Sequence, residues 1–269
     1  MGDPNEHPIL GDIDRGDLEA VKAHVLADPA VLEQRGLGAM RWTPLMKAIF
    51  YRRNDITLWL IEHRGQHDLE ARDRMGDAAL HMAIRSSRLD VVHALVAAGA
   101  DPGALSAHNN TPLWVAAEVG RADALAFLLQ LPGVEAYINA KNGYALTALT
   151  QAAEWEQEAY VKLLLDAGTD PNIFSGFCSP LKGAICRRHA AVVALLLDAG
   201  TDPTIHPGAE VPLRAAIRES CLTIAPILGH AIAESDRARA STRRAASTTP
   251  AACSACWRRT LRRWACRRR

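Results

Sequence analysis

Apolar residues along this chain fall in short runs at helical spacing, and the same polar punctuation frames each run. A Thr or Ser followed by Pro and Leu opens a segment, with Ala soon after. A Leu- and Val-rich run comes next, and Ala-Gly-x-Asp-Pro closes it. The opening recurs at Thr43, Ala78, Thr111, Thr147, Ser179 and Val211, with successive spacings of 35, 33, 36, 32 and 32 residues. Self-similarity at that period marks a stacked helical array rather than a globular enzyme. A degenerate copy fits from His7, with residues 16–21 in the place of the inter-helix turn and the start of the second helix. The pattern predicts about seven helix-turn-helix repeats. Residues 1–42 form a degenerate N-terminal capping repeat, 43–232 the main array and 233–269 a tail.

Each part of the phrase has a physical reason. Pro at the first helical position has a suitable fixed φ and lacks only an amide hydrogen that has no partner there, while the preceding Thr or Ser caps the free donors of the first turn. Gly99, Gly168 and Gly200 stop the second helices, because a helix C-terminus commonly needs positive φ. Pro102, Pro171 and Pro203 prevent the helices from resuming. The repeat from Thr111 carries an insertion at residues 131–135, and Pro226 falls where the last second helix belongs, which predicts a broken helix and a ragged end.

The clearest copy runs from Ala78 through Leu80, His81 and Ala83 to Ile84, then from Leu89 to the closing Gly99-Ala100-Asp101-Pro102. This string resembles the ankyrin repeat, a turn followed by two antiparallel helices and a projecting hairpin loop. The resemblance implies an all-α solenoid whose hairpin tips and first helices line a concave groove that binds other proteins. Mapped one repeat at a time, it places Arg41, Trp42, Asn110, Tyr144 and Phe177 at tips. It points Lys47, Phe50, Tyr51, Met82, Arg85 and Ser86 into the groove, followed by Val115, Glu118, Val119, Gln151, Glu154, Trp155 and Arg187. His81 resembles the family's turn-bonding residue, and Trp114 replaces that His in its own repeat. Trp59 and Phe127 occupy Leu positions of second helices and are expected in the core.

Composition agrees with a helical array. About half the residues are apolar and 5% aromatic, which suits close packing of Ala- and Leu-rich helices. The chain contains no 18-residue uncharged apolar run and the first ten residues lack a basic segment, so neither a spanning helix nor a classical secretory signal is expected. The expected location is cytoplasmic and the expected state monomeric. Six cysteines without matched spacing are expected as reduced thiols. The Cys253–Cys256 pair lacks the partners a zinc site needs.

Charge divides the chain. From Glu234 to Arg269 eleven Arg face two acids, giving +9, whereas residues 1–233 carry 20 basic and 28 acidic residues, giving −8. The tail has too few branched apolar residues for a core, so disorder or a frayed helix is expected. Three readings of it stay open. It is a polybasic arm that binds nucleic acid or an anionic membrane, with Trp257 and Trp264 as anchors, or serves as a nuclear address; or it is an intramolecular clamp on the acidic array. The third is an out-of-frame product of GC-rich DNA, consistent with 26 Arg to 5 Lys in the chain.

Metalloprotease, nucleophile-elbow, P-loop and dinucleotide motifs are absent from the sequence, so no catalytic residue, metal or cofactor is expected. The function read from the sequence is a non-catalytic scaffold that binds a protein or peptide in its groove. The expected contacts are Trp42, Phe50, Tyr51, Arg85, Glu118, Tyr144, Glu154, Trp155 and Arg187. Aromatic and Arg side chains supply most hot-spot energy in interfaces. The alternatives are a nucleic-acid or membrane adaptor driven by the tail and, by analogy, a host-directed bacterial effector.

Overall fold

The computed structural model describes residues 7–36, 40–63, 69–174, 179–204, 216 and 223–246. Among them lie thirteen α-helices and no strand. Six pairs follow in order: α1 (Pro8–Arg15) with α2 (Leu18–Ala27), α3 (Pro44–Phe50) with α4 (Asn54–Glu62), and α5 (Ala79–Arg85) with α6 (Leu89–Ala97). Then come α7 (Pro112–Val119) with α8 (Ala122–Leu129), α9 (Ala148–Glu154) with α10 (Glu158–Asp166), and α11 (Pro180–Arg187) with α12 (Ala190–Asp198). Helix α13 (Ile224–Ala246) packs on α12. The repeat opening at Val211 lies outside the described residues, apart from helical Ala216.

The first helices begin where the punctuation places them. Thr43, Thr111, Thr147 and Ser179 each accept the backbone amide three residues on, at 3.1 to 3.3 Å. His7 caps α1 through its ring nitrogen. Second helices from α4 onward have no side-chain cap but, except for α12, carry an acid in the first turn, where the helix dipole favours negative charge. They end as the glycines predict: Gly99, Gly168 and Gly200 all have positive φ, and the amides of Ala100, Thr169 and Thr201 turn back to carbonyls of the last turn.

Each hairpin also has one left-handed residue two positions before its helix cap: Arg41, Gly76, Asn109 and Ala145, with φ between 54° and 73°. Only Gly76 is a glycine there. A Cβ on Gly76 would sit 2.2 Å from the backbone nitrogen of Ala107, so close approach of the next hairpin is what demands it.

Small residues let the helices approach. Ala83, Ala116, Ala117, Ala152, Ala153 and Ala184 are all fully buried between first helices. One apolar core runs from Met46 to Leu228, and a second, formed by α1 to α4, joins it through Leu45. Successive first helices approach one another more closely than successive second helices, so the stack curves with the first-helix row inside.

The C-terminal end departs from expectation. Helix α13 has 23 residues, against eight to ten in the second helices before it, and at 1.5 Å per residue spans about 35 Å. Pro226 lies in its first turn, where the missing amide costs no bond, so it begins the helix rather than breaking it. The buried seam Ile224, Leu228 and Ile232 then stops, while the helix continues past residue 233 through Arg237 to Ala246. No helix among the described residues is long and apolar enough to cross a membrane.

Candidate protein-binding groove

The inner row presents its exposed side chains in three groups. At the N-terminal end, Trp42 leaves the hairpin just before α3 and lays its ring 4.3 Å from that of Phe50, at the far end of the same helix. Its Nε1 donates to the Asp73 carboxylate at 3.3 Å, which links the hairpins of consecutive repeats. Phe50 is 53% exposed and meets Tyr51 edge to face at 5.3 Å. Met40 and Met75 are exposed on the two hairpins, which the Arg74 amide joins by donating to the Met40 carbonyl. Sequence reasoning missed both methionines. Their tip positions next to Arg41 and Arg74 were the available signal.

In the middle, Arg85 donates to Asp77 at 3.1 Å and to Glu118 at 2.8 Å. Two expected contact residues are therefore engaged with each other across the second and third main repeats. Tyr144 stands at a tip with 71% exposure, its ring roughly parallel to His108 at 6.2 Å. At the C-terminal end, Trp155 caps α9 with 61% exposure, and the Arg187 guanidinium lies 5.9 Å above its ring from the next repeat. Glu154 is half-buried, and its carbonyl is bonded by His189 Nε2 at 3.0 Å.

Several groove assignments are corrected by the packing. Lys47, Met82, Val115 and Gln151 are buried, because the first helices stack too closely for those positions to face solvent. Lys47 instead reaches Asp14 of the preceding repeat at 3.1 Å. Asn110 is a buried tie between hairpins, taking the Asn142 side-chain amide at 3.1 Å. Trp59 and Phe127 are half-buried rather than enclosed: Trp59 stacks on His63, and Phe127 meets His93 at a tilt of 48°. Phe177 lies outside the described residues.

His81 has no free nitrogen for proton transfer. The Ala78 amide donates to Nδ1 at 3.2 Å, so Nε2 carries the hydrogen and donates to the Asn110 carbonyl at 3.0 Å. Burial holds its pKa below the ordinary value of 6.5. Among the described residues no cluster of His, Cys, Asp and Glu is arranged to hold a metal ion.

Comparisons with known proteins agree with this architecture. A family model for ankyrin repeats (three copies) matches residues 12–106 and 95–175. The chain is 35% identical over 109 residues to the B-cell lymphoma 3 protein of Homo sapiens, covering 40% of this chain and 24% of that protein. It is 31% identical over 104 residues to the nuclear factor NF-kappa-B p105 subunit of Gallus gallus, covering 39% of this chain and 11% of that one. The matches thus span a quarter or less of these relatives' length. Among solved structures, the ankyrin repeat domain of Bcl-3, a member of the IkappaB family, aligns with a TM-score of 0.70 at 25% identity, over 82% of this chain and 99% of that one. An ankyrin repeat domain from Acinetobacter baumannii AYE aligns at 0.62 and 29% identity, over 70% and 97%. Repeat period, helix pairs, hairpin ties and these matches agree: the chain belongs to the ankyrin repeat family, a fold of protein–protein interaction domains.

Proposed function

We propose that this array is a non-catalytic scaffold that captures a protein partner along its inner row, anchored by Trp42, Phe50 and Tyr51 at one end and by Trp155 and Arg187 at the other. The observation that carries the reading is the exposure of Phe50, Tyr51, Tyr144 and Trp155 on one side of a curved stack. Large aromatics left in water forgo roughly 2 kcal/mol of burial each, and a partner that covers them recovers it. Before binding, Trp42 is bonded to Asp73 and lies against Phe50, Tyr144 lies against His108, and Arg187 lies over Trp155, so little conformational entropy is lost on association.

The test is affinity capture with the full chain at about 0.15 M and 0.5 M salt, beside the variants Trp155→Ala and Phe50→Ala. The expected result is a protein retained at both salts by the wild-type chain and lost from both variants, with melting midpoints within a few degrees of wild type. A large fall in melting midpoint for Trp155→Ala would show that this ring packs rather than binds. Capture that vanishes at high salt and ignores both substitutions would assign the affinity to the Arg-rich tail.

A further inference from the structure

Charge in this array is sorted by row. The six second helices α2 to α12 carry eight acids, all exposed, against only Lys22 and Lys162. Five of those acids sit in first turns, where the helix dipole is cause enough. The opposite sign gathers around the N-terminal aromatic group. Arg41, Arg52, Arg72 and Arg74 are all exposed: Arg41 precedes Trp42, whose ring meets Phe50, Arg52 follows Tyr51, and Arg72 and Arg74 flank Asp73, which accepts from Trp42. Two of the acids beside them are already engaged. Asp73 receives Trp42 and the amides of Met75 and Asp77, and Asp77 receives Arg85. Neither Arg41 nor Arg52 pairs with a carboxylate among the described residues.

The same spot concentrates exposed apolar surface. Of the eight large apolar side chains exposed among the described residues, four flank these arginines: Phe50 meets Tyr51 and Trp42, and Met40 and Met75 lie on the two hairpins that the Arg74 amide and the Met40 carbonyl join. Two flexible methionines beside fixed aromatics make an adaptable apolar bed, and an arginine rim around it selects charge. We propose that this patch binds an acidic peptide segment, whose apolar side chains seat against Met40, Phe50, Tyr51 and Met75 while its carboxylates meet Arg41 and Arg52. The inference rests on the groove reading above and names the chemistry of its partner.

Other occupants fit less well. Phe50 and Tyr51 meet edge to face and leave no parallel faces for successive bases to stack on, and Asp77 and Glu118 around Arg85 interrupt the basic track that a nucleic-acid backbone requires. The chain's own C-terminal segment, with eleven Arg from residue 234 onward, carries the wrong sign for this patch.

The experiment is selection of the full chain against a displayed random peptide library, followed by titration of the enriched peptides against the wild-type chain, Arg41→Glu/Arg52→Glu and Phe50→Ala. The C-terminal arginines also attract acidic peptides, so only affinity lost on substitution in the patch counts. The expected outcome is enrichment of Asp and Glu interleaved with Leu, Phe or Met. The charge-reversed variant then loses at least about tenfold in affinity, and Phe50→Ala loses a comparable factor. Enrichment of basic or uncharged peptides, or no enrichment, overturns the proposal. So does a single-stranded oligo-dT that competes equally well and is indifferent to Phe50→Ala. Acidic peptides that ignore the patch substitutions but lose affinity in Trp155→Ala leave the groove reading standing and this inference refuted; peptides indifferent to both sites refute both.

Discussion

The repeats that open at Ala78 and at Thr111 solve one problem in two ways. Each must cap its first helix and tie its hairpin to the next. In the Ala78 repeat the cap position has no side-chain acceptor, and His81 does both jobs, taking the Ala78 amide on one nitrogen and donating to the Asn110 carbonyl with the other. In the Thr111 repeat the hydroxyl caps the helix at 3.1 Å and the His position holds Trp114, whose buried Nε1 has no protein partner. The tie moves into the hairpins instead. Asn142 donates to Asn110 at 3.1 Å, and the Gly143 amide donates to the His108 carbonyl at 2.6 Å. Capping and inter-repeat coupling are therefore separable duties, and what the stack requires is that both be met.

The largest expected effect comes where the two hairpins approach most closely. Gly76→Ala would place a methyl 2.2 Å from the Ala107 nitrogen at a φ of +73°. The neighbouring hairpin must move, so the expected loss is about 3 kcal/mol, read from the urea midpoint of the full chain. The matching position before α9 is Ala145 at φ +59°, which shows that the conformation alone admits a side chain. A loss below about 1 kcal/mol for Gly76→Ala would mean that the hairpins slide apart freely and that the tie is weaker than its geometry.

His81 comes next. Its removal leaves the Ala78 amide without a partner, takes from the Asn110 carbonyl one of two donors (the Ser106 amide stays) and empties a fully buried position, so His81→Ala is expected to cost roughly 3 kcal/mol. Hydrogen exchange should rise first in residues 106–111, on the far side of the broken tie. The same geometry sets a pH dependence. Because burial lowers the folded-state pKa from 6.5, the unfolded chain takes up a proton before the folded one does. The His81 contribution is complete above pH 6.5 and is lost as pH falls below it, by up to about 1.4 kcal/mol per unit until the folded-state pKa is reached. The stability difference between wild type and His81→Gln should therefore narrow on acidification from about pH 7.5 to 5. A difference that stays constant would show that the ring titrates alike in both states.

These contrasts also mark what the sequence could disclose. Helix starts were legible because caps and Pro act within three or four residues, and Thr43, Thr111, Thr147 and Ser179 cap where the repeated phrase begins. Of the residues the family resemblance placed in the groove, Phe50, Tyr51 and Trp155 are exposed and Trp42 is half-buried. Packing between repeats was not legible. The resemblance placed Val115 and Met82 in the groove, but the separation of adjacent first helices, which the alanines set, leaves no room for solvent. Pairing was equally hidden: nothing local says that Arg85 finds Glu118, 33 residues away, or that Arg187 lies over Trp155. Pro226 misled for a simpler reason. Its effect depends on its place in the helix, and α13 starts two residues before it rather than at the family's usual spacing.

The smallest expected effect is the sharpest test of the two-way comparison. Trp114→Phe keeps an aromatic ring in the core and removes the buried Nε1–H that has no protein partner. Loss of ring volume costs about 1 to 2 kcal/mol by cavity formation, while removal of an unpaired buried donor returns a similar amount. The net change should fall within about 1 kcal/mol of wild type, against roughly three times that for His81→Ala. If Trp114→Phe instead cost as much as His81→Ala, the indole would be part of the tie, and Asn110 with Asn142 would not be holding the third and fourth main repeats together on their own. Equal exchange protection of residues 142–146 in Trp114→Phe and wild type would place the coupling in the asparagine pair.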